Sequence, residues 1–90
     1  MSSLSLPEVL DLKAAAPLRD ALLEHRGEDL QIDASAVQRL GGQCLQVILS
    51  AVATWRADGA VLEIVSPSRD FIQGFELLGV LRSAHQEQSA

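Results

Sequence analysis

Two adjacent glycines, Gly41 and Gly42, stand directly before the longest stretch of helical apolar spacing in the chain. Glycine has no Cβ, so the pair permits close approaches that other residues exclude. The apolar residues after it recur at spacings of three and four: Leu45, Ile48, Leu49, Val52 and Trp55. This spacing predicts a helix over residues 42–57 that packs Leu49 against a sheet. The first N–H groups of a helix have no partner within it, so we place the candidate working surface at this helix start.

The other segments alternate between strand-like and helix-like patterns. In chain order, we predict strands at 3–6 and 9–10 and then a helix capped by Asp11 and stopped by Gly27. Pro17 is tolerated only near the first turn of that helix, so its regular part is expected to start as late as Ala16. A central strand at 30–32, a strand at 60–65, a helix capped by Ser66 or Ser68 and ended by Gly79, and a strand or turn at 80–81 are predicted elsewhere in the chain. Residues 82–90 are polar and are expected to form a frayed tail. This order predicts one α/β domain over residues 1–90, with a mainly parallel sheet, helices packed on it and reduced edge strands.

The composition argues against several partners. A net charge of −5 leaves no basic surface of the kind that binds nucleic acid, and it disfavours anionic membrane surfaces. The single cysteine cannot form an internal disulfide. No apolar run reaches the ~20 residues of a membrane span, and the first residues lack the basic and apolar regions of a signal peptide. We therefore expect a cytoplasmic protein that does not insert into membranes.

Residues suited to catalysis or metal binding are sparse. The glycine pair lacks the Lys and Ser/Thr of a P-loop; it could hold an anion on backbone N–H groups, but a turn or a close-approach loop for a partner is favoured. Cys44 could have a lowered thiol pKa in the first helical turn, although a small buried side chain is the favoured interpretation. His25 and His85 have no metal-ligand spacing. We predict no enzyme activity, no cofactor and no metal.

Around the glycine pair the sequence resembles the STAS domain, the family of sulfate transporters and anti-sigma-factor antagonists. Members carry an Asp-Leu-Ser-like turn and then Asp-Ser-(Ser/Ala)-Gly-Leu at a helix start, where the first Ser is the phosphoacceptor of the antagonists. Residues 33–35 match the turn and residues 45–49 match the helix. The family's Asp, Ser, small residue and Gly fall on Gly41, Gly42, Gln43 and Cys44. The resemblance extends from about Val9 to Val80, and it keeps the architecture without the phosphoacceptor.

The resemblance implies a non-catalytic interaction module that binds a histidine kinase or a kinase-like ATPase. Residues 40–47 and 54–59 look most like short STAS proteins of bacterial chemotaxis systems. The implied role is to bind the chemotaxis histidine kinase, or its response-regulator output, and to tune phosphotransfer, with Gly42 making binding constitutive. The implied partner-binding residues are Arg39, Leu40, Gly41, Gly42, Gln43, Cys44 and Gln46.

Three alternatives remain open from the sequence. An anti-sigma-factor antagonist would need Ser35 to replace the missing phosphoacceptor, whereas turn chemistry favours Ser35 as a turn or cap residue. A STAS subunit of a transporter ATPase complex would be a structural partner of that ATPase. An enzyme would need a reactive Cys44.

Overall fold

The computed structural model describes residues 1–78. Within them it has five strands, three α-helices and one short 3₁₀ helix. The strands are β1 (Ser2–Ser5), β2 (Val9–Leu10), β3 (Leu30–Asp33), β4 (Arg39–Leu40) and β5 (Leu62–Val65). The helices are α1 (Ala15–Glu24), α2 (Gly42–Ala57) and α3 (69–78), with the 3₁₀ helix at Leu12–Ala14. Four predictions lie outside the described residues: the helix end at Gly79, the strand or turn at 80–81, the tail at 82–90 and His85.

The main sheet has three parallel strands in the order β1-β3-β5, so the strand predicted to be central is central. Leu4, Ile32 and Ile64 form one row across it and contribute to the hydrophobic core. The neighbouring row of Ser3, Gln31 and Glu63 is polar and lies on the opposite face, because successive strand residues point to opposite sides. The helices therefore cover one face of the sheet. This confirms the predicted α/β class with a mainly parallel sheet.

Helix α2 begins at Gly42 and ends at Ala57, as predicted. It contributes more buried side chains to the hydrophobic core than α1 does. Ile48 is fully buried and Trp55 is 2% exposed, with its indole Nε1 donating a hydrogen bond to the carbonyl oxygen of Glu28 at 2.8 Å. Leu49, which we expected to pack against the sheet, is only partly buried. Burying a Leu or Ile side chain stabilises a fold by about 1.5–3 kcal/mol. Ile48 rather than Leu49 is therefore the main aliphatic contact at the centre of α2.

A second, two-stranded parallel ladder joins β2 to β4 and pairs Val9 with Arg39 and Leu10 with Leu40. The brief strand at Val9–Leu10 was predicted, but its partner was not. Two residues are too few to show the alternation by which a strand is recognised in a sequence. The ladder holds Arg39–Leu40, directly before the start of α2, against Val9–Leu10, directly before the 3₁₀ helix.

The start of α1 agrees with the expected position of Pro17, but the role of Asp11 differs from the prediction. The Asp11 carboxylate accepts a hydrogen bond from the Ala14 backbone N–H at 3.1 Å, so it caps the 3₁₀ helix and not α1 itself. α1 begins at Ala15, so Pro17 lies in its first turn. The N–H groups of a first turn have no acceptor within the helix, so the absence of an N–H on Pro17 breaks no helical hydrogen bond.

Helix α3 approaches β4 closely at a glycine. A Cβ at Gly74 would lie 3.1 Å from the Cβ of Leu40. A glycine inside a helix lowers stability by about 1 kcal/mol relative to Ala. The close approach of Leu40 explains why Gly74 is nevertheless present in α3. Ser68 caps α3: its Oγ accepts from the Phe71 N–H at 3.0 Å and donates to the Val37 carbonyl at 2.5 Å. Of the two serines proposed as caps, Ser68 has this role.

Among residues 1–78, no helix is both long enough and apolar enough to cross a membrane.

Candidate partner-binding surface

The start of α2 has no side-chain cap. Gly41 is the N-cap residue, with φ −90° and ψ 164°, and its carbonyl accepts the Leu45 N–H at 3.1 Å. The N–H groups of the first turn, beginning at Gly42, have no acceptor within the helix. These donors carry the positive end of the helix dipole. The helix start therefore presents backbone rather than side chains to its surroundings.

The two glycines have different roles. Gly41 donates its N–H to the Leu10 carbonyl oxygen at 2.8 Å, and a Cβ on Gly41 would lie 3.0 Å from that same oxygen. Gly42 is exposed, has no atom within 4 Å of a hypothetical Cβ and is not among the described glycines with positive φ. Gly41 is thus required for the close approach of β2. Gly42 is not required by the local geometry, and a side chain could be accommodated there.

The predicted partner-binding residues divide into outward and inward sets. Leu40 is 9% exposed and Cys44 is fully buried, so neither side chain is available to a partner. This corrects their inclusion in the predicted surface. Leu40 is turned inward by the β2–β4 ladder, and Cys44 lies on the face of α2 that also carries Ile48. The members that remain accessible are Arg39, Gly42, Gln43 and Gln46, with Gly41 partly covered.

Cys44 is held in an environment that suppresses thiolate formation. Its Sγ donates a hydrogen bond to the Asp11 carbonyl oxygen at 3.2 Å. Burial raises the pKa of the Cys44 thiol, and the negative charge of Asp11 raises it further. A reactive cysteine requires the opposite shift and an accessible sulfur. The geometry therefore supports the buried interpretation of Cys44 over the reactive one.

Ser35 occupies the turn at the end of β3, as predicted. Its backbone N–H donates to the Asp33 carboxylate at 2.9 Å. The proximity of the Ser35 side chain and the hydrogen bond from this N–H lower the pKa of the Asp33 carboxyl group. The intervening Ala34 is buried and accepts the Ser68 N–H at 3.1 Å. The Asp33–Ser35 turn is thus connected to the start of α3.

Sequence reasoning missed two exposed apolar residues next to the glycine pair. Leu12 is 74% exposed and Val9 is 44% exposed. They flank Leu10, whose carbonyl oxygen accepts the Gly41 N–H, and Asp11, whose carbonyl accepts the Cys44 thiol. Exposure of a particular leucine in a short segment has no sequence signal, since the β2–β4 ladder and the Asp11-capped 3₁₀ turn together decide which side chain points outward.

A groove of about 230 Å³ between α1 and α2 was also missed. Its apolar wall includes Leu23 and Val47, and Gln43 and Gln46 line it as well. Two residues of the predicted surface therefore lie on the wall of a groove that runs away from the glycine pair toward Trp55.

The comparisons with known proteins agree on the fold. The family described as Mlab, STAS domain matches residues 2–82. A crystal structure of Mglu is similar at a TM-score of 0.66 and 26% sequence identity, over 74% of this chain. The matched region is 17% of that chain, so this chain spans a small part of Mglu's length. No curated protein matches the chain. Because the family match covers nearly all of the sequence and the sheet order and helix positions support it, the chain belongs to the STAS domain family and has its anti-sigma-factor-antagonist-like fold.

Proposed function

We propose that this STAS protein is a non-catalytic regulatory module that binds a signalling histidine kinase through the surface at the start of α2. The observation that carries the proposal is the exposed Gly42, which stands where the family's antagonists have their phosphoacceptor Ser. The space around Gly42 is open, so a partner can approach the backbone there. In this proposal, binding modulates the kinase's phosphotransfer.

The proposed binding is not switched by phosphorylation at this surface. Residues 41–46 contain no Ser, Thr or Tyr, and the nearest hydroxyl before them belongs to Ser35. A phosphate at a helix start would add charge and acceptor oxygens that change docking. Without that group, the extent of binding is set by protein abundance and by competition among partners.

The proposed partner is the chemotaxis histidine kinase, or its response-regulator output. The support is the resemblance of residues 40–47 and 54–59 to short STAS proteins of chemotaxis systems. Within residues 40–47 the exposed residues are Gly42, Gln43 and Gln46, which have no formal charge; the exposed Arg56 and Asp58 lie at the other end of α2. The proposal therefore places backbone and amide groups, rather than a charged switch, against the kinase.

A transporter ATPase is the second candidate partner, because a permanent structural subunit also needs no phosphoacceptor, and Gly42 fits that role equally well. An anti-sigma-factor antagonist is less well supported, since residues 41–46 carry no hydroxyl group and Ser35 lies outside this segment, in the turn after β3.

The deciding experiment is affinity capture from the native cytosol with partner identification by mass, followed by measurement of the purified partner. The proposal expects capture of a histidine kinase whose autophosphorylation or phosphotransfer rate changes when this protein is added. Capture of a transporter ATPase would support the second candidate. A histidine kinase that neither binds nor changes its rate would refute the leading one.

A further inference from the structure

The outer edge of β1 has no strand beside it within residues 1–78. β1 lies at one side of the three-stranded sheet and pairs with β3 on its other side. The Ser2 N–H donates to the Asp29 carbonyl oxygen at 3.1 Å, and the Leu6 N–H donates to the Asp33 carbonyl oxygen at 2.9 Å. In a parallel ladder, alternate residues of a strand bond to the same neighbour. The even-numbered residues of β1 therefore bond to β3.

Ser3 and Ser5 consequently direct their backbone N–H and C=O groups away from β3. Both residues are exposed, and Leu4 between them is partly buried. This pattern of two outward residues around one inward residue is unchanged when the strand is reversed. An antiparallel copy of β1 would place Ser3 opposite Ser5 of that copy, and Ser5 opposite its Ser3. Four N–H···O hydrogen bonds would then use every outward group of the two residues on both chains.

An apolar groove lies beside this edge, on the face of the sheet that the helices cover. It has a volume of about 160 Å³, and its walls include Leu4, Leu6, Pro17 and Ala21. In the antiparallel pairing, the Leu4 side chains of the two copies would meet at the two-fold axis as a non-hydrogen-bonded pair, the arrangement in which facing side chains are closest. A second copy would therefore cover the partly exposed Leu4.

Charge distinguishes this edge from the other edge of the sheet. Residues 1–7 contain no charged side chain, and no charged residue within residues 1–78 lines the groove. Two copies of a chain with net charge −5 repel each other, so an uncharged surface is where they can meet. The edge strands of monomeric proteins are commonly protected by charged side chains, which β1 lacks.

The edge formed by β5 does not suit self-pairing. The Leu30 N–H donates to the Val61 carbonyl oxygen at 2.9 Å, so the odd-numbered residues of this strand bond to β3. Its outward residues are Leu62 and Ile64, and the exposed Glu63 stands between them. A two-fold pairing would bring the Glu63 carboxylates of the two copies directly opposite each other, which is destabilising.

From these observations we infer that β1 is a self-association edge, at which two copies of this chain pair antiparallel through Ser3 and Ser5 and extend the sheet to six strands. An interface that uses the same patch on both copies closes on itself, so assembly stops at the dimer. Pro7 has no N–H and limits the ladder to these two residues, so the expected dimer is weak, with a Kd in the micromolar range. The edge contains none of the candidate partner-binding residues, so each dimer carries two partner-binding surfaces.

The first test is sedimentation of the full-length protein from about 1 µM to about 1 mM, where a reversible monomer–dimer equilibrium is expected. Amide hydrogen exchange over the same range locates the contact. Protection of the Ser3 and Ser5 N–H groups should rise with concentration, whereas the Leu4 N–H, which bonds to β3, should be protected throughout. A monomer at every concentration would overturn the inference. So would constant protection of Ser3 and Ser5, because it would mean that the edge is covered within one chain.

Two double variants test the antiparallel register. Ser3→Lys with Ser5→Lys places like charges opposite each other at both cross-strand pairs, and it should weaken the dimer at least about fivefold, although it also reduces the net negative charge. Ser3→Glu with Ser5→Lys places opposite charges there and should dimerise at least about fivefold more tightly than the first variant. Circular dichroism and the urea midpoint check that both remain folded. Equal dimer Kd values for the two folded variants would overturn the inference.

Discussion

The carbonyl oxygen of Leu10 accepts a hydrogen bond from the Gly41 N–H and lies so close to the Gly41 Cα that a side chain at position 41 would collide with it. The N···O distance is 2.8 Å, and a Gly41 Cβ would lie 3.0 Å from the oxygen. We expect Gly41→Ala to lower the free energy of unfolding by about 1–3 kcal/mol, because the backbone oxygen cannot move without losing its bond. Gly42→Ala, with open space, should change stability by less than about 0.5 kcal/mol. Urea unfolding measures both, and equal midpoints would contradict the different roles of the two glycines.

Gly42→Glu tests the proposed docking surface directly. A bulky charged side chain at Gly42 should weaken partner binding by more than tenfold, or about 1.4 kcal/mol. The fold should be retained, since Gly42 does not need positive φ and a carboxylate at a helix start is electrostatically favourable. Gly42→Ala controls for the loss of glycine itself. Normal binding by folded Gly42→Glu, with binding lost through changes at Arg69, Gln73 or Glu76, would move the surface to α3.

Phosphorylation offers an independent check. When the protein is incubated with a cognate kinase and labelled ATP, we expect no label on residues 41–46, which carry no hydroxyl group. Peptide mapping after brief and prolonged incubation would locate any label. Stable label on Ser35 would contradict constitutive binding and would favour the antagonist alternative, and Ser35→Ala is the control for that site.

The core prediction concerns adjacent residues of α2. Ile48→Ala should lower the free energy of unfolding by about 2–5 kcal/mol, because it removes a fully buried side chain. Leu49→Ala should cost less, since Leu49 is only partly buried. Chemical denaturation of both variants compares the two faces of the helix, and a larger loss for Leu49 would show that the face of α2 toward the sheet has been misassigned.

Acid sensitivity should involve Glu28. Its carboxylate accepts a hydrogen bond from the Ser2 hydroxyl at 2.8 Å and lies 2.7 Å from His25 Nδ1. The His25 contact and then the Ser2 contact lower the pKa of Glu28. A carboxyl group whose pKa is lower in the folded state contributes stability above its unfolded pKa of about 4.3 and loses it as the pH falls through the lower folded value.

The measurement for Glu28 is the difference in unfolding free energy between wild type and Glu28→Gln as a function of pH. This difference should be larger at neutral pH than in acid and should shrink as the pH falls below about 4.3. Glu24→Gln, at an exposed residue of α1, is the control. A difference that does not change with pH would rule out the Glu28 contribution.

The start and end of α2 could be predicted because glycine conformational freedom and apolar spacing indicate the same boundary. The β4 strand could not, because it spans only Arg39 and Leu40 and its partner lies far away in the sequence. Cys44 was predicted both to be buried and to contact a partner, and the structure is consistent only with the first. Its spacing of four from Ile48 already placed it on the core face.

The exposure of Leu12 could not be predicted from the sequence, for a different reason. Leu10 and Leu12 are the same residue type, two positions apart, yet one is fully buried and the other is 74% exposed. The β2–β4 ladder and the Asp11 cap together set that difference, and neither is encoded by a local pattern.

Trp55, which is buried and donates a hydrogen bond to the Glu28 carbonyl, can serve as an intrinsic fluorescence probe of folding. Trp55 is the only tryptophan, and its indole is 2% exposed. Trp55 stands thirteen positions after Gly42 in α2, a rise of about 20 Å at 1.5 Å per residue. Its fluorescence therefore reports the integrity of the core at a distance from Gly42. Unfolding can be monitored by intrinsic emission while docking is monitored by a dye on the partner, both in one sample.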